Sequence, residues 1–375
     1  MQFKDMDLWV KSFYKDLSFA RLDKWNYEDG CMLLAAIALY KATNEHLYKE
    51  FVIQYMEHYV TKEGDILHYE FDHYNLDNIA PARALLFAYE QTGEERYKAA
   101  ADLLYRQLKS QPRTSEGNFW HKLIYPNQVW LDGLFMAQPF YMAYETRYAK
   151  KEAYNDILSQ FACVRKHMFN EKKKLYYHGY DESRQMFWAD KESGCSKNFW
   201  LRAIGWYEMA LVDTMDEMSN AMYEYYRSLE VLFKESMRGI LCYQDPKSFL
   251  FYQVVDAKEE KDNYLETSGS AMIAAAILKA CRLKVVLSEK YAPIGQKIVE
   301  SIVENKVCKG QDGWVLKDTC KVAGLGPNEN RRDGSIFYYL SEPKQDNDKK
   351  GLAALFLAYA EYKMASGKEE EKEGK

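Results

Sequence analysis

The sequence predicts an all-α protein whose helical hairpins close into an (α/α) barrel, and three observations lead there. First, "ALYKATNEHLY" (Ala38–Tyr48) and "AYEQTGEERYKAA" (Ala88–Ala100) resemble each other. In each, two tyrosines flank a Thr-Asn or Thr-Gly break between two helical patterns. Asn44 and Gly93 at those breaks suit a left-handed helix stop. Second, apolar helical runs end near residues 40, 89, 145, 214, 281 and 361, which leaves room for a helical hairpin and its loops in every interval. Third, strand signals are few: "GILCYQ" and "LFYQVVD" are short strands or coil. The period is longer and less regular than that of a tetratricopeptide-type solenoid. Six or seven such hairpins close naturally into a ring of inner and outer helices.

The segments that lead into the six apolar helices are as informative as the helices. In order they are "KWNYEDG" (24–30), "FDHYNLDN" (Phe71–Asn78), "NQVWLDG" (Asn127–Gly133), "KNFWLRAIGW" (Lys197–Trp206), "NYLETSGS" (Asn263–Ser270) and "SEPKQDNDKKG" (Ser341–Gly351). If the inner helices run parallel, all six lie at one mouth, which then gathers Trp25, Asp77, Trp130, Asp132, Trp200, Arg202 and Trp206. Asp, Asn and Ser are good helix N-caps, so capping is the ordinary explanation for each carboxylate taken alone. Capping does not explain tryptophan in three of the six segments. Nor does it explain Arg202 in a first helical turn, where the helix dipole disfavours a cation. Aromatic plates beside carboxylates and an arginine describe a pocket for an acidic sugar, since arginine can clamp a carboxylate through two parallel hydrogen bonds.

Composition narrows the alternatives. The chain has 375 residues, 47% of them apolar, which suits one large barrel domain. We expect a single (α/α)6 barrel domain over 1–365 and a charged, disordered tail over 366–375. The formal net charge is −5 with no basic stripe, so nucleic acid is not an expected partner. Aromatic residues reach 15%, with 31 Tyr and 8 Trp; most of the tyrosines are read as helix–helix contacts, the rest as surfaces for stacking on sugars. Seven cysteines, an odd number without a CxxC pair, suit reduced thiols and a cytoplasmic protein. The first residues carry acidic side chains and no apolar core, unlike a signal peptide. No apolar run is long enough for a membrane span. No His or Cys spacing suits a metal, no glycine-rich phosphate loop or GxSxG is present, and neither cofactor nor metal is expected. The partner that the residues at the mouth suggest is an acidic sugar; the oligomeric state is left open.

The densest stretch is Tyr176–Trp206. His178-Gly179-Tyr180-Asp181 reads as a loop, in which a histidine alone is most simply a solvated one. Trp188, Asp190 and Gly194 continue a long ordered loop of the kind that usually carries function. A second loop, "GNFWHKLIYPNQVW" (Gly117–Trp130), brings His121 and Lys122 toward Asp132.

Together and in this order, "VWLDGLFMAQPF", "HGYDES", "FWADKESGCSKNFWLRAIGW" and "FYYLSEP" resemble the unsaturated rhamnogalacturonyl hydrolases of glycoside hydrolase family 105, over nearly the whole chain. The resemblance implies an (α/α)6 barrel that removes a 4,5-unsaturated uronic acid from the non-reducing end of lyase-generated oligosaccharides. It makes Asp132 the general acid/base and Asp77 its pocket partner. His178, Arg202 and Trp206 are expected to contact the uronate, with Trp25, Tyr27, His121, Lys122 and Trp130 completing the subsite. Lys197 stands where the family motif has proline, which bears on the rigidity of that loop. Family 88, the unsaturated glucuronyl hydrolases, shares the fold and the reaction type, and its glycosaminoglycan products are the alternative substrates. The acid must be protonated to work, and two influences are expected to keep Asp132 so: its apolar surroundings and the second carboxylate, Asp77.

Overall fold

The computed structural model describes residues 1–16, 25–311, 313–326 and 331–373, with side chains as far as residue 365. Its helices are α1 (Met6–Asp16), α2 (Tyr27–Thr43), α3 (His46–Tyr59), α4 (Ala82–Thr92), α5 (Glu95–Ser110), α6 (Leu131–Arg147), α7 (Tyr154–Met168), α8 (Leu201–Glu217), α9 (Tyr223–Leu241), α10 (Thr267–Arg282), α11 (Ser288–Asn305), α12 (Ile336–Ser341) and α13 (Lys349–Glu373). Helix α2 packs on α4, α4 on α6, α6 on α8, α8 on α10, α10 on α13, and α13 back on α2. That closed ring is the inner layer. Helices α3, α5, α7, α9 and α11 lie outside it, each against its inner partner. The sixth outer helix is α1, whose Trp9 and Phe13 pack edge-on against Phe356 of α13 at 5.5 Å. The fold is thus the (α/α)6 barrel, and its sixth pair is built from the two ends of the chain.

Sequence explains which helix goes where. Helix α10, "TSGSAMIAAAILKACR", is buried along almost its whole length, and its small residues let neighbours approach on every side. Outer helix α5 buries Tyr97, Ala100, Ala101, Leu104 and Leu108, the single stripe of an amphipathic helix, and leaves its other face to water. The expected left-handed stops are present. Asn44 (φ 57°) and Gly93 (φ 72°) end α2 and α4, and each donates its backbone N–H to a carbonyl of the last turn, that of Tyr40 or Tyr89.

Four two-stranded ribbons decorate the helices: β1 (Gln128–Trp130) with β4 (Gly179–Asp181), β2 (Phe169–Asn170) with β3 (Leu175–Tyr176), β5 (Phe251–Tyr252) with β6 (Leu265–Glu266), and β7 (Val307–Lys309) with β8 (Trp314–Leu316), all antiparallel. "LFYQVVD" therefore supplies a strand, whereas "GILCYQ" is the end of α9 and the turn after it. The loop expected at 178–181 is corrected as well, because Gly179–Asp181 is a strand. Helix α13 continues to Glu373, so the backbone of segment 366–375 is largely helical; its side chains lie outside the described residues.

A cavity of about 200 Å³ lies among the inner helices and takes Ile37, Phe87, Ala143, Val212, Ala275 and Leu357, one from each. Lys41, Glu90, Arg147, Glu217 and Arg282, from the last turns of α2, α4, α6, α8 and α10, also line it. Lys349 and Lys350 at the start of α13 pair with Asp29 and Glu28 at the start of α2. The six helices therefore run in the same direction, with their first turns at the opposite end of the barrel. Ion pairs tie the cavity end together: Asp213 is held by Arg83 at 2.7 Å and Lys279 at 2.8 Å, and Arg282 meets Glu361 at 2.7 Å. The chemistry lies at the other end.

Candidate active site

Asp132 is the second residue of α6. Trp130 occupies the cap position of that helix and no side chain caps it. The Asp132 Oδ2 atom is sealed from solvent and has no hydrogen-bond partner among the described residues. Capping does operate elsewhere in the barrel: the Asn26 side chain accepts from the Asp29 N–H at 3.0 Å, and Glu266 accepts from the N–H groups of Ser268 and Gly269. Asp132 is thus the carboxylate among these that the helix does not use.

What faces it is His178. Its Nε2 lies 3.4 Å from Asp132 Oδ2, and Nε2 too lacks a hydrogen-bond partner among the described residues. Its Nδ1 lies 2.8 Å from the Tyr339 hydroxyl. His178 is fully buried, not the solvated loop histidine that its local sequence suggests. The β1–β4 pairing places it there by setting Trp130 opposite Gly179, and the Leu131 N–H donates to the His178 carbonyl at 3.2 Å. The pairing needs glycine at 179, where a Cβ would stand 2.5 Å from Leu325 Cδ1 and 3.1 Å from Trp130 Cδ1.

Aromatic rings wall this pair. Trp130 stacks on His121 (4.6 Å between centroids) and on Tyr125 (4.8 Å), and meets His178 edge-on at 5.5 Å. Trp200 packs on His178 at 4.7 Å, and the Arg202 guanidinium lies 4.9 Å from the centre of the same indole. Trp206 packs on Phe135 at 4.6 Å and takes the edge of Tyr27 at 6.5 Å. Burial pushes the Tyr27 phenol well up, with Glu28 adding to the rise, Arg202 opposing it and Asp77 adding a little more. Arg202 is buried and donates to Ser268 Oγ and to the carbonyls of Cys320 and Lys321. Among the described residues no carboxylate forms an ion pair with it.

Asp77 sits in a short 3-10 turn, Leu76–Ile79, which the Asn75 side chain caps by accepting from the Asp77 N–H at 3.0 Å. Its Oδ2 is 2.5 Å from Lys122 Nζ, and its Oδ1 is 3.5 Å from His121 Nε2. Burial pushes the Asp77 carboxyl up, but Lys122 and then His121 outweigh it, and the net shift is below the usual carboxylate range. Burial pulls Lys122 down, and Asp77 more than restores it. Burial lowers His121 to about 4, leaving it a neutral ring near neutral pH. Asp77 is therefore one half of an ion pair with Lys122, a partner that the sequence does not assign to it.

The remaining expectations divide. Trp25 is 2% exposed; its rings lie about 6 Å from Tyr55 and Tyr59, and its Nε1 donates to the Asn78 carbonyl at 2.8 Å. Through Asn78 it braces the Asp77 turn. Lys197, in place of proline, pairs with Asp333 at 3.2 Å, while Asn198 donates to the Gly334 carbonyl at 2.8 Å, so contacts with the 333–334 segment pin this loop. Tyr339 and Tyr125 were not singled out from sequence. "FYYLSEP" was visible as a motif, but a tyrosine in a short helix has the same pattern as one that merely packs. The described residues contain no group of three or more His, Cys, Asp or Glu placed to hold a metal ion, and no helix among them is long and apolar enough to cross a membrane.

Known proteins resemble the chain along its length. The model of Glycosyl Hydrolase Family 88 matches residues 4–366. A glycoside hydrolase from family 105 of C. acetobutylicum has a solved structure with a TM-score of 0.89 at 36% identity, covering 94% of this chain and 99% of that one. The unsaturated glucuronyl hydrolase of Bacillus sp. GL1, responsible for glycosaminoglycan degradation, aligns with a TM-score of 0.64 at 15% identity over 92% of this chain and 88% of its own, a likeness of fold. The unsaturated rhamnogalacturonyl hydrolase YesR of Bacillus subtilis is 24% identical over 265 residues, which are 69% of this chain and 72% of that protein.

Proposed function

The chain belongs to glycosyl hydrolase family 88, and from that premise we propose that it removes a 4,5-unsaturated uronic acid from the non-reducing end of lyase-generated oligosaccharides, unsaturated rhamnogalacturonan products in particular. The observation that carries this reading is the Asp132 carboxyl: in a first helical turn but uncapped, facing an unpartnered ring nitrogen of His178, and walled by Trp130 and Trp200. A carboxyl that its helix does not use, with one oxygen sealed and part of the side chain open, is available to a substrate.

Asp132 delivers its proton to C4 of the vinyl ether, and a C4–H bond forms from the double-bond electrons. The positive charge left at C5 is shared with the ring oxygen. Water adds to C5 and returns a proton to Asp132, restoring the acid. The hemiketal then opens by breaking the bond between C5 and the ring oxygen, which leaves a ketone at C5 and a hemiacetal at C1. Collapse of that hemiacetal to an aldehyde breaks the glycosidic bond and frees the neighbouring sugar. One group acting first as acid and then as base is enough, so the two-carboxylate spacing of ordinary glycosidases does not apply.

The other residues bind. The Arg202 guanidinium, bonded only to neutral oxygens among the described residues, takes the uronate carboxylate. Asp77, held ionised by Lys122, accepts hydrogen bonds from sugar hydroxyls beside His121. Trp130, Trp206 and Tyr27 supply the faces and edges against which the sugar ring lies. The relationship to YesR supports rhamnogalacturonan products over glycosaminoglycan ones. The unpaired thiols of the exposed Cys242 and Cys308 support a reducing, cytoplasmic setting.

The test is Asp132→Asn, followed through loss of the ultraviolet absorbance of the conjugated double bond. We expect an unchanged unfolding midpoint, retained binding, and turnover lower by about 10²–10⁴, the usual worth of positioned proton transfer. Turnover near that of the wild type sinks the assignment. Running lyase-digested rhamnogalacturonan beside digested chondroitin tests the substrate class separately.

A further inference from the structure

We infer that Tyr339 is a positioning residue that fixes the tautomer of His178 and thereby decides which oxygen of Asp132 carries the catalytic proton. The inference rests on the reading of Asp132 as the acid.

Tyr339 lies in α12, the short helix Ile336–Ser341, and is fully buried. Its ring lies parallel to Trp200 at 6.0 Å between centroids and 5.9 Å from the His178 ring, so it is held by packing as well as by its hydroxyl. Among the described residues that hydroxyl has a single hydrogen-bond partner, His178 Nδ1 at 2.8 Å. A buried hydroxyl proton with no acceptor is costly, and Nδ1 is the acceptor within reach. The tyrosine therefore donates. Nδ1 must then offer its lone pair, and the proton of the neutral imidazole sits on Nε2. The reverse arrangement, with Nδ1–H donating to the tyrosine, leaves the buried phenolic proton without an acceptor among the described residues. A doubly protonated ring does the same.

Nε2–H points at Asp132 Oδ2, 3.4 Å away, a distance that a small side-chain rotation closes to a hydrogen bond. This gives partners to the two atoms that otherwise have none, His178 Nε2 and Asp132 Oδ2. With Oδ2 occupied as an acceptor, the acid's proton belongs on Oδ1. Oδ2 is sealed while 14% of the Asp132 side chain remains open, so Oδ1 is the oxygen left for substrate. The relay Tyr339 O–H, His178 Nδ1, His178 Nε2–H and Asp132 Oδ2 thus presents the acid with its proton already outward. After protonation of the substrate, the same Nε2–H stabilises the carboxylate that must next accept a proton from water. No proton passes through the relay; it only orients.

The experiment uses full-length protein with ¹⁵N-labelled histidine and two-bond ¹H–¹⁵N correlation spectra, with the His178 signals identified by their loss in His178→Gln. In the wild type we expect the pattern of a neutral ring protonated on Nε2. In Tyr339→Phe we expect that pattern to shift toward the other tautomer, with kcat lower by about tenfold, the worth of one oriented hydrogen bond, and KM within about twofold. A wild-type ring protonated on Nδ1, or on both nitrogens, overturns the proposal whether or not the variant folds. So does a folded Tyr339→Phe with unchanged spectrum and kcat. Asp132→Asn separates the two readings. If it keeps its turnover, the acid assignment fails while the tautomer stands. If it is inactive and the His178 ring is protonated on Nδ1, the tautomer proposal alone fails.

Discussion

Lys122 shows how one residue changes what its neighbour can do. The sequence places two carboxylates, Asp77 and Asp132, at one mouth, and two carboxylates close together ordinarily push each other toward the protonated form. Lys122 Nζ at 2.5 Å from Asp77 cancels one of the charges. Both side chains are mostly buried, so removing one partner strands the other. Lys122→Met is expected to lower stability by about 2–4 kcal/mol near neutral pH, and the double variant with Asp77→Asn to recover part of it. The pH dependence has a definite sign. The Asp77 carboxyl is held below its ordinary value of 3.8, so the folded state binds fewer protons than the unfolded one at acid pH. Its contribution is complete above about pH 4 and is lost as pH falls through the lower folded value. In Lys122→Met that acid loss shrinks, because only His121 then opposes burial. Urea midpoints of the three proteins, taken near pH 7 and near pH 3, check this; equal midpoints for wild type and Lys122→Met contradict it. The residue types at the mouth were legible in the sequence. Their pairing was not, because Lys122 and Asp77 lie on separate loops whose meeting depends on the barrel.

At the scale of elements, the three-residue ribbon of β1 and β4 does work that no helix does. It joins "WLDG" to "HGYD" in antiparallel register, with Trp130 opposite Gly179, and so carries His178 to the start of α6. Strands this short carry almost no periodic signal, which is why the 178–181 segment reads as loop from sequence. Gly179→Ala is expected to overpack the joint, since its Cβ would meet Leu325 and Trp130 at 2.5 and 3.1 Å. Such clashes typically cost about 1–3 kcal/mol. We expect a larger effect on turnover than on folding, because displacing Trp130 moves the whole lead-in to Asp132. kcat/KM measured where the variant is fully folded decides the matter; a wild-type value there removes the ribbon from any part in setting the site. Helices were far more readable than ribbons. The ends expected near 40 and 89 fall within one turn of the observed ends at Thr43 and Thr92, because an apolar helix repeats its signal over many residues and a ribbon does not.

The whole molecule closes on itself through its termini. Helix α1 fills the outer position beside α13, with Trp9 and Phe13 on Phe356, the Tyr14 hydroxyl donating to the Met32 carbonyl at 2.9 Å, and Lys363 paired with Asp7 at 2.9 Å. A ring of six inner helices has no free edge, and every inner helix needs a cover. Trp9→Ala removes the central part of one cover and is expected to destabilise the barrel by about 3–5 kcal/mol, the usual cost of deleting a buried tryptophan. Chemical denaturation followed by circular dichroism measures this. A loss under about 1 kcal/mol would mean that the sixth pair does not hold the ring closed.

The sequence by itself determined that the chain is helical, that it repeats in hairpins, and that a set of aromatic, acidic and basic residues precedes the inner helices. Those properties are written in periodicity and residue type, which act locally along the chain. Tertiary structure alone decided which of those residues touch. It turned Trp25 into a brace for the Asp77 turn, neutralised Asp77 with Lys122, and set His178 between Asp132 and Tyr339. Contacts of this kind depend on ångström-scale placement between segments as far apart as residues 178 and 339. Only closure of the barrel and the register of a short ribbon supply that placement.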